Sequence, residues 1–251
     1  MHTPQPDAPA VRAHGIPRRR LPWRRILLRG LGALILAAGL AGALTLVWQL
    51  WWTDIRAADR AETMVAQLRT GFDASRPDAA AAPATSSPDG VIVHLPALGE
   101  VLPVLPGVGA DVLDQGVLGH YPATAEAGEV GNFAVAGHRT TYGRPLWALA
   151  DLTPGDEIIV ETAETYFVYA VREHRVVVPS ETGVLAPVPD RPGATATEAS
   201  MVLTTCHPRF SARERLVAYA VLVRSVPRSQ GPPAGVTVAA GSQSGDRGRV
   251  P

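Results

Sequence analysis

A single cysteine, Cys206, stands in a chain of 251 residues. It closes an apolar, strand-like run within SMVLTTCHPRFSARERLVAYAVLV and is followed by a loop holding His207, Pro208, Arg209, Arg213 and Arg215. A thiol at a strand end beside several guanidinium groups sits in positive potential, the condition that favours the nucleophilic thiolate. A lone cysteine is equally compatible with a buried, inert thiol, and it excludes an internal disulfide and the multi-cysteine zinc and iron–sulfur frameworks. A nucleophilic thiol needs a group that manages protons, most often histidine. His138 ends the run GNFAVAGHRTTYG, where a strand gives way to a polar loop. Its side chain is therefore held by a rigid element yet open at the sheet edge. On these grounds alone His120, His174 and His207 remain alternatives.

The elements that must position these groups are short, β-rich and bounded by Gly, Pro and Asp. They are VIVHL at 91–95, VLPVL at 101–105, NFAVAG at 132–137, EIIVET at 157–162, TYFVYAV at 165–171, RVVV at 175–178, SMVLTTC at 200–206 and RLVAYAVLV at 215–223. So many short strands in so short a span predict a closed or nearly closed barrel in place of a doubly wound fold. The stretch YGRPLWALADL, 142–152, has room for one short helix. GVGADVLDQG at 107–116 has scattered glycines without the spacing of a phosphate loop, so nucleotide binding is not indicated. Formal net charge is zero, with 23 basic against 23 acidic side chains, so no global basic field would draw the molecule to nucleic acid.

Residues 30–52, GLGALILAAGLAGALTLVWQLWW, carry no charge and only Thr45 and Gln49 as polar side chains. As a helix the run is roughly 30–35 Å long, enough to cross a bilayer. Arg12, Arg18, Arg19, Arg20, Arg24, Arg25 and Arg29 precede it against the single Asp7, which places the N-terminus in the cytoplasm and everything after Trp52 outside. The run ends in Trp-Gln-Leu-Trp-Trp and not in small residues, which argues for an uncleaved anchor over a signal peptide. The expected organisation is a cytoplasmic tail at 1–29, a transmembrane helix at 30–52, and a helical stalk and Pro/Ala/Ser-rich linker at 53–90. A globular domain at 91–226 and a disordered tail at 227–251 follow.

LGHYPATAEAGEVGNFAVAGHRTTYGRPLWALADLTPGDEIIV, followed by VLTTCHPRFSARERLVAYA, resembles the sortases, cysteine transpeptidases of Gram-positive cell surfaces. GHRTTYG, LTTCHPRFSA and RERL are most similar to class E, the actinobacterial housekeeping type. The resemblance covers about residues 91–224, and its force lies in the joint occurrence of Gly-His, Thr-Cys and a following Arg at family spacing. It implies a mainly β, eight-stranded sortase-type barrel with short helices behind a single N-terminal transmembrane helix. It makes Cys206 the nucleophile and His138 the catalytic histidine. The essential arginine falls on Arg215, which opens the RLVAYA strand, with Arg213 as its rival. Thr205 is placed beside the peptide or the oxyanion, or is a plain strand residue. Val202 departs from the family's Thr-Leu-x-Thr-Cys pattern, a change expected to affect packing near the substrate groove.

The activity so implied is cleavage of an LPxTG or LAxTG type sorting signal between Thr and Gly, through a thioester to Cys206. Transfer to a peptidoglycan stem or cross-bridge amine would complete the reaction. The implied partners are secreted proteins bearing C-terminal sorting signals, the peptidoglycan amine and the lipid bilayer. No metal or organic cofactor is implied. The alternatives are a pilus-polymerising sortase, a hydrolase that uses water, and an anchored binding module without activity.

Overall fold

The computed structural model describes residues 23–75 and 90–236. The expected basic tail before residue 23, the expected linker over 76–89 and the expected C-terminal tail from 237 onward lie outside the described residues. The described residues divide between two compact units with the boundary between Val47 and Trp48.

Helix α1 runs from Trp23 to Ala74. Its segment Ile26–Thr45 is long and apolar enough to cross a membrane, and none of it is buried among the described residues. From Asp54 onward α1 carries a different pattern. Ala57, Ala61, Val65, Leu68 and Phe72 recur at spacings of four and three and are all buried, the face a helix presents when it packs on another element. Val65, Leu68 and Phe72 close over Ile92. The segment expected as a stalk is thus partly laid against the globular domain. Charged residues between the apolar positions hid this contact face in the sequence.

The domain is a closed barrel of β1 (Val91–Leu95), β2 (Glu100–Pro106), β3 (Leu118–His120), β4 (Gly131–Ala136), β5 (Glu157–Glu161), β6 (Thr165–Val177), β7 (Ala199–His207) and β8 (Glu214–Pro227), with α2 (Ala110–Leu113) between β2 and β3. Around the barrel the order is β1-β2-β3-β4-β7-β8-β6-β5, closed by β5 against β1. The number of strands matches the expectation, but two assignments differ. The runs at 165–171 and 175–178 form the single strand β6, which crosses the polar Arg172–Arg175 stretch with a register shift between Val171 and Glu173. A bulge lets a strand continue through exposed charged residues, so the interruption in hydrophobicity was not an interruption in structure. The strand gained in exchange, β3, is three residues long and contains Gly119, too short to register as a pattern. In the 142–152 stretch the expected helix contracts to a single 3-10 turn at Leu149–Asp151.

Strand alternation sorts side chains to two faces. Val93, Leu95, Val135, Met201, Leu203, Leu216 and Ala218 fill the barrel interior. The outward residues Ala134, Val202 and Val217 are buried as well, beneath Val184 from the long connection between β6 and β7. Gly116 allows the close approach of α1, since a Cβ there would lie 2.7 Å from that of Ala57, and its φ of 82° suits glycine.

Ion pairs tie α1 to the far side of the domain. Glu161, buried at 1% exposure, bonds His94 Nε2 at 2.8 Å and Arg69 Nε at 3.4 Å and accepts from Arg228. Arg228 also donates to Asp73 at 3.1 Å. Arg228 is itself buried in a 3-10 turn, Arg228–Gln230, so ordered chain continues past residue 227, where the tail was expected to begin. Burial pushes the Glu161 carboxyl up, but the hydrogen bonds from His94 and Arg228 and the charge of Arg69 outweigh it and hold its pKa below the usual carboxylate range. A depressed carboxyl pKa contributes stability that is fully present above the unfolded value and is lost as pH falls through the folded value. Glu161→Gln in the full chain in detergent should therefore unfold at lower temperature at neutral pH, at a cost of about 3 kcal/mol. Circular dichroism melts should show this gap narrowing as pH falls below the ordinary glutamate pKa and through the depressed folded value. A gap that does not change with pH would refute the ion-pair account.

Candidate active site

Three neighbouring strands bring the chemistry together. β4 and β7 run parallel with Ala136 opposite Thr204. The ladder continues past the end of β4, where the Gly137 N–H donates to the Thr204 carbonyl at 3.1 Å. Thr205 Oγ1 donates to the Gly137 carbonyl at 2.8 Å. On the other side, β7 and β8 run antiparallel with Cys206 directly opposite Arg215. Residues opposite each other in such a pair present their side chains on one face, with Cβ atoms about 4.5–5.5 Å apart. Cys206 lies two and four residues from the outward-facing Thr204 and Val202, and Arg215 lies two from the outward-facing Val217. His138 lies two residues beyond Ala136 and so falls level with Cys206. Backbone register therefore sets His138, Cys206 and Arg215 abreast on the outer face.

The structure separates the two candidate arginines. Arg215 is the second residue of β8, and its guanidinium donates to the carbonyls of Ala212 and Glu214, both at 2.9 Å. These bonds aim the head back over the β7–β8 loop beside Cys206. Arg213 lies in the loop before β8 and is exposed. Thr205 is 3% exposed and its hydroxyl is engaged with Gly137. It therefore faces away from Cys206 and clamps the end of β4 to β7. His207 Nδ1 contacts Arg139 at 2.8 Å, while His120 sits buried with Nε2 near Thr124 Oγ1 at 3.0 Å and the Ala125 carbonyl at 3.1 Å. His174 lies in β6. Of the four histidines left open by the sequence, only His138 stands abreast of Cys206 in the register.

Residues that the sequence did not tie to the histidine or the thiol complete the surroundings. His138 Nε2 meets Asp114 Oδ1 at 2.9 Å, and its ring stacks on Tyr142 with centroids 5.0 Å apart. A hydrogen bond to Asp114, aided by the negative charge of that carboxylate and by burial, raises the Tyr142 hydroxyl pKa. Asp114 ends α2 in the segment dismissed above for lacking phosphate-loop spacing. Nothing in its sequence context links it to a histidine in a distant loop. Arg139, 5% exposed, donates to the Cys206 carbonyl at 3.3 Å. Burial and the neighbouring Arg209 lower its pKa, against the opposing pull of Asp151 and Cys206. Its place directly after His138 was the only signal available.

A groove runs from this row along the outer face. It is lined by Tyr121, Val177, Val184, Leu185, Thr204 and Arg215, among others. Tyr121 reaches Thr204 Oγ1 at 3.4 Å. Val202, at the position that departs from the family pattern, is fully buried under the same surface. The arrangement sets a groove of mixed apolar and polar lining, with Arg215 on its wall, on the same outer face as the thiol and the imidazole. That combination can bind an extended apolar peptide and present one of its carbonyls to the sulfur.

Comparison with known proteins shows the family of the chain. A family model described as "Sortase domain" matches residues 93–223. Sortase SrtE1 of Streptomyces coelicolor is 34% identical over 243 residues, covering 91% of this chain and 67% of that protein. Sortase SrtE2 of the same organism is 34% identical over 213 residues, covering 78% of this chain and 81% of that protein. Among solved structures, sortase E1 from Streptomyces coelicolor with a tripeptide in its active site superposes with a TM-score of 0.55 at 38% identity, covering 59% of this chain and 95% of that one. The SrtA sortase from Actinomyces oris superposes with a TM-score of 0.57 at 38% identity, covering 64% of this chain and 95% of that one. The chain belongs to the sortase family of cysteine transpeptidases and is similar to its class E members.

Proposed function

We propose that this sortase is anchored by α1 with its barrel outside the cytoplasmic membrane. In this reading it cleaves a C-terminal sorting signal of the LPxTG or LAxTG type between Thr and Gly and joins the released carboxyl to a peptidoglycan amine. The observation that carries the reading is the row of Cys206, His138 and Arg215 on one face beside a groove that Arg215 itself helps to line. The apolar helix segment, unburied among the described residues, supports the anchor. The arginines before it support a cytoplasmic N-terminus. A secreted substrate, an external peptidoglycan amine and an external active site are mutually consistent.

Position supports a role for each residue. The sorting signal lies extended in the groove, with its apolar end over Val184 and Leu185 and its Thr carbonyl at Cys206. The sulfur attacks that carbon, and the developing oxyanion falls under the Arg215 guanidinium, which can also hold the peptide backbone. His138, as imidazolium, delivers a proton to the departing glycine nitrogen. Asp114 and Tyr142 fix the plane of the imidazole, as a carboxylate orients the histidine in other nucleophile–histidine pairs. Thr205 acts through the backbone by keeping the ends of β4 and β7 in step.

Incubating the full chain in detergent with LAxTG and LPxTG peptides, with and without an amine, tests the reading by mass spectrometry. A Cys206 thioester, cleavage after Thr and an amine adduct are expected, and all three should vanish in Cys206→Ala. Absence of any thioester with both peptides would overturn the assignment. Arg215→Ala should lower kcat on the order of 10² to 10³ while the protein still folds. Asp114→Asn should lower kcat roughly tenfold with KM nearly unchanged, because it removes a charge-assisted hydrogen bond to the imidazole and no peptide contact. A change in KM alone would show that Asp114 belongs to the groove and not to the histidine.

A further inference from the structure

The loops leaving β4 and β7 build a second feature beside the row, one that the cleavage half of the reaction does not use. The Arg209 guanidinium lies over the Trp147 ring, 4.1 Å from its centroid. Its one described side-chain hydrogen bond goes to the Trp147 carbonyl at 3.4 Å. Arg144 approaches the same ring at 5.4 Å, but its charge is engaged by Asp54 at 3.3 Å. Among the described residues Arg209 has no carboxylate within ion-pair distance. Phe210 packs edge-on against Trp147 at 6.1 Å and is otherwise uncovered at 81% exposure. It is held outward by a backbone φ of 65°, a conformation that costs a non-glycine residue energy.

The platform is tied to both reacting groups. Arg209 follows Cys206 by three residues, and Trp147 directly follows Leu146, whose N–H donates to the His138 carbonyl at 3.1 Å. A guanidinium stacked on an indole keeps one face covered and its N–H edges turned to solvent, pre-organised as a fork for a carboxylate. The scissile Thr–Gly unit of the sorting signal offers no carboxylate, and the groove that suits its apolar end runs toward β6 and β8. The partner still unplaced is the second substrate, the amine.

We propose that Arg209, stacked on Trp147 and flanked by Phe210, is the acceptor site, and that it selects amines whose carbon chain also carries a carboxylate, as diamino acids of peptidoglycan stem peptides do. This rests on the transpeptidase reading above. Ion pairing of the acceptor carboxylate with Arg209, and contact of its aliphatic chain with Phe210, bring the neutral amine to the thioester. The amine nitrogen forms the C–N bond, the C–S bond breaks with its electron pair on sulfur, and the proton lost by the nitrogen passes through His138 to the Cys206 sulfur.

The test uses the full chain in detergent, one sorting peptide, and two acceptors at equal amine concentration: diaminopimelic acid and its diamide. Mass spectrometry reads the ratio of amide product to hydrolysed product for each. The wild type should favour the carboxylate acceptor by about tenfold. Arg209→Gln should bring the two acceptors to parity, and Arg209→Lys, which keeps the charge but loses the planar stack, should fall between. Equal partition in the wild type, or an undiminished preference in Arg209→Gln, would overturn the proposal. So would a loss in Arg209→Gln seen only in vesicles containing phosphatidylglycerol, which would assign the surface to lipid phosphate. Failure of the transpeptidase reading is distinguishable, because no thioester and no hydrolysed product would form even in the wild type.

Discussion

The backbone ladders on either side of β7 are the constraint on which the rest depends. His138, Cys206 and Arg215 come from segments far apart in the chain, and no salt bridge or hydrogen bond among the described residues links the three side chains to one another. Their alignment is imposed by strand register, parallel on the β4 side and antiparallel on the β8 side. A one-residue slip in either pairing would turn one member toward the barrel interior. The register is in turn fixed by burial, because β7 is apolar on both faces, with Met201 and Leu203 inside and Val202 beneath Val184 outside. Thr205, bonded to Gly137 at the mouth of the pairing, adds a lock where the apolar contacts end.

A closed barrel makes this economy possible. Closure leaves no sheet edge to protect, so the ends of β4, β7 and β8 are free to lead into loops that carry polar and charged groups. Those loops are kept in place from outside by α1. Asp54 accepts the Gly143 N–H at 3.0 Å, and Ala57 packs against Gly116, so the helix touches the segment that presents Tyr142 and the one that ends in Asp114. At its other end Arg69 and Asp73 join the Glu161 network. The helix thus braces the His138 side of the site as well as bearing the apolar segment.

Charge is distributed unevenly over this frame. Glu161 gathers His94, Arg69 and Arg228 into a buried, mutually compensated cluster, whereas the β7–β8 loop keeps Arg209 and Arg213 exposed. Buried ions require partners, but exposed guanidiniums do not.

The sequence alone singled out the candidates for the chemistry, because identity and local setting bear on reactivity: one cysteine at a strand end among arginines and a histidine at another strand end, with the resemblance to a family pointing to the arginine that opens the last strand. It also determined the barrel class, since short β-rich runs between turn residues leave few other folds. What it left to tertiary structure was every relation across the sheet. Arg215 and Arg213 have the same chemistry two residues apart, and only the start of β8 at Glu214 puts one opposite Cys206 and the other in a loop. Asp114 and His138 lie 24 residues apart, joined by no periodicity, so their contact exists only once β3 and β4 have paired. The helix face that packs on the barrel and the union of two apolar runs into β6 were hidden for the same reason. Hydrophobic pattern records what is buried along one element, and the partner that buries it is chosen only when the chain closes on itself.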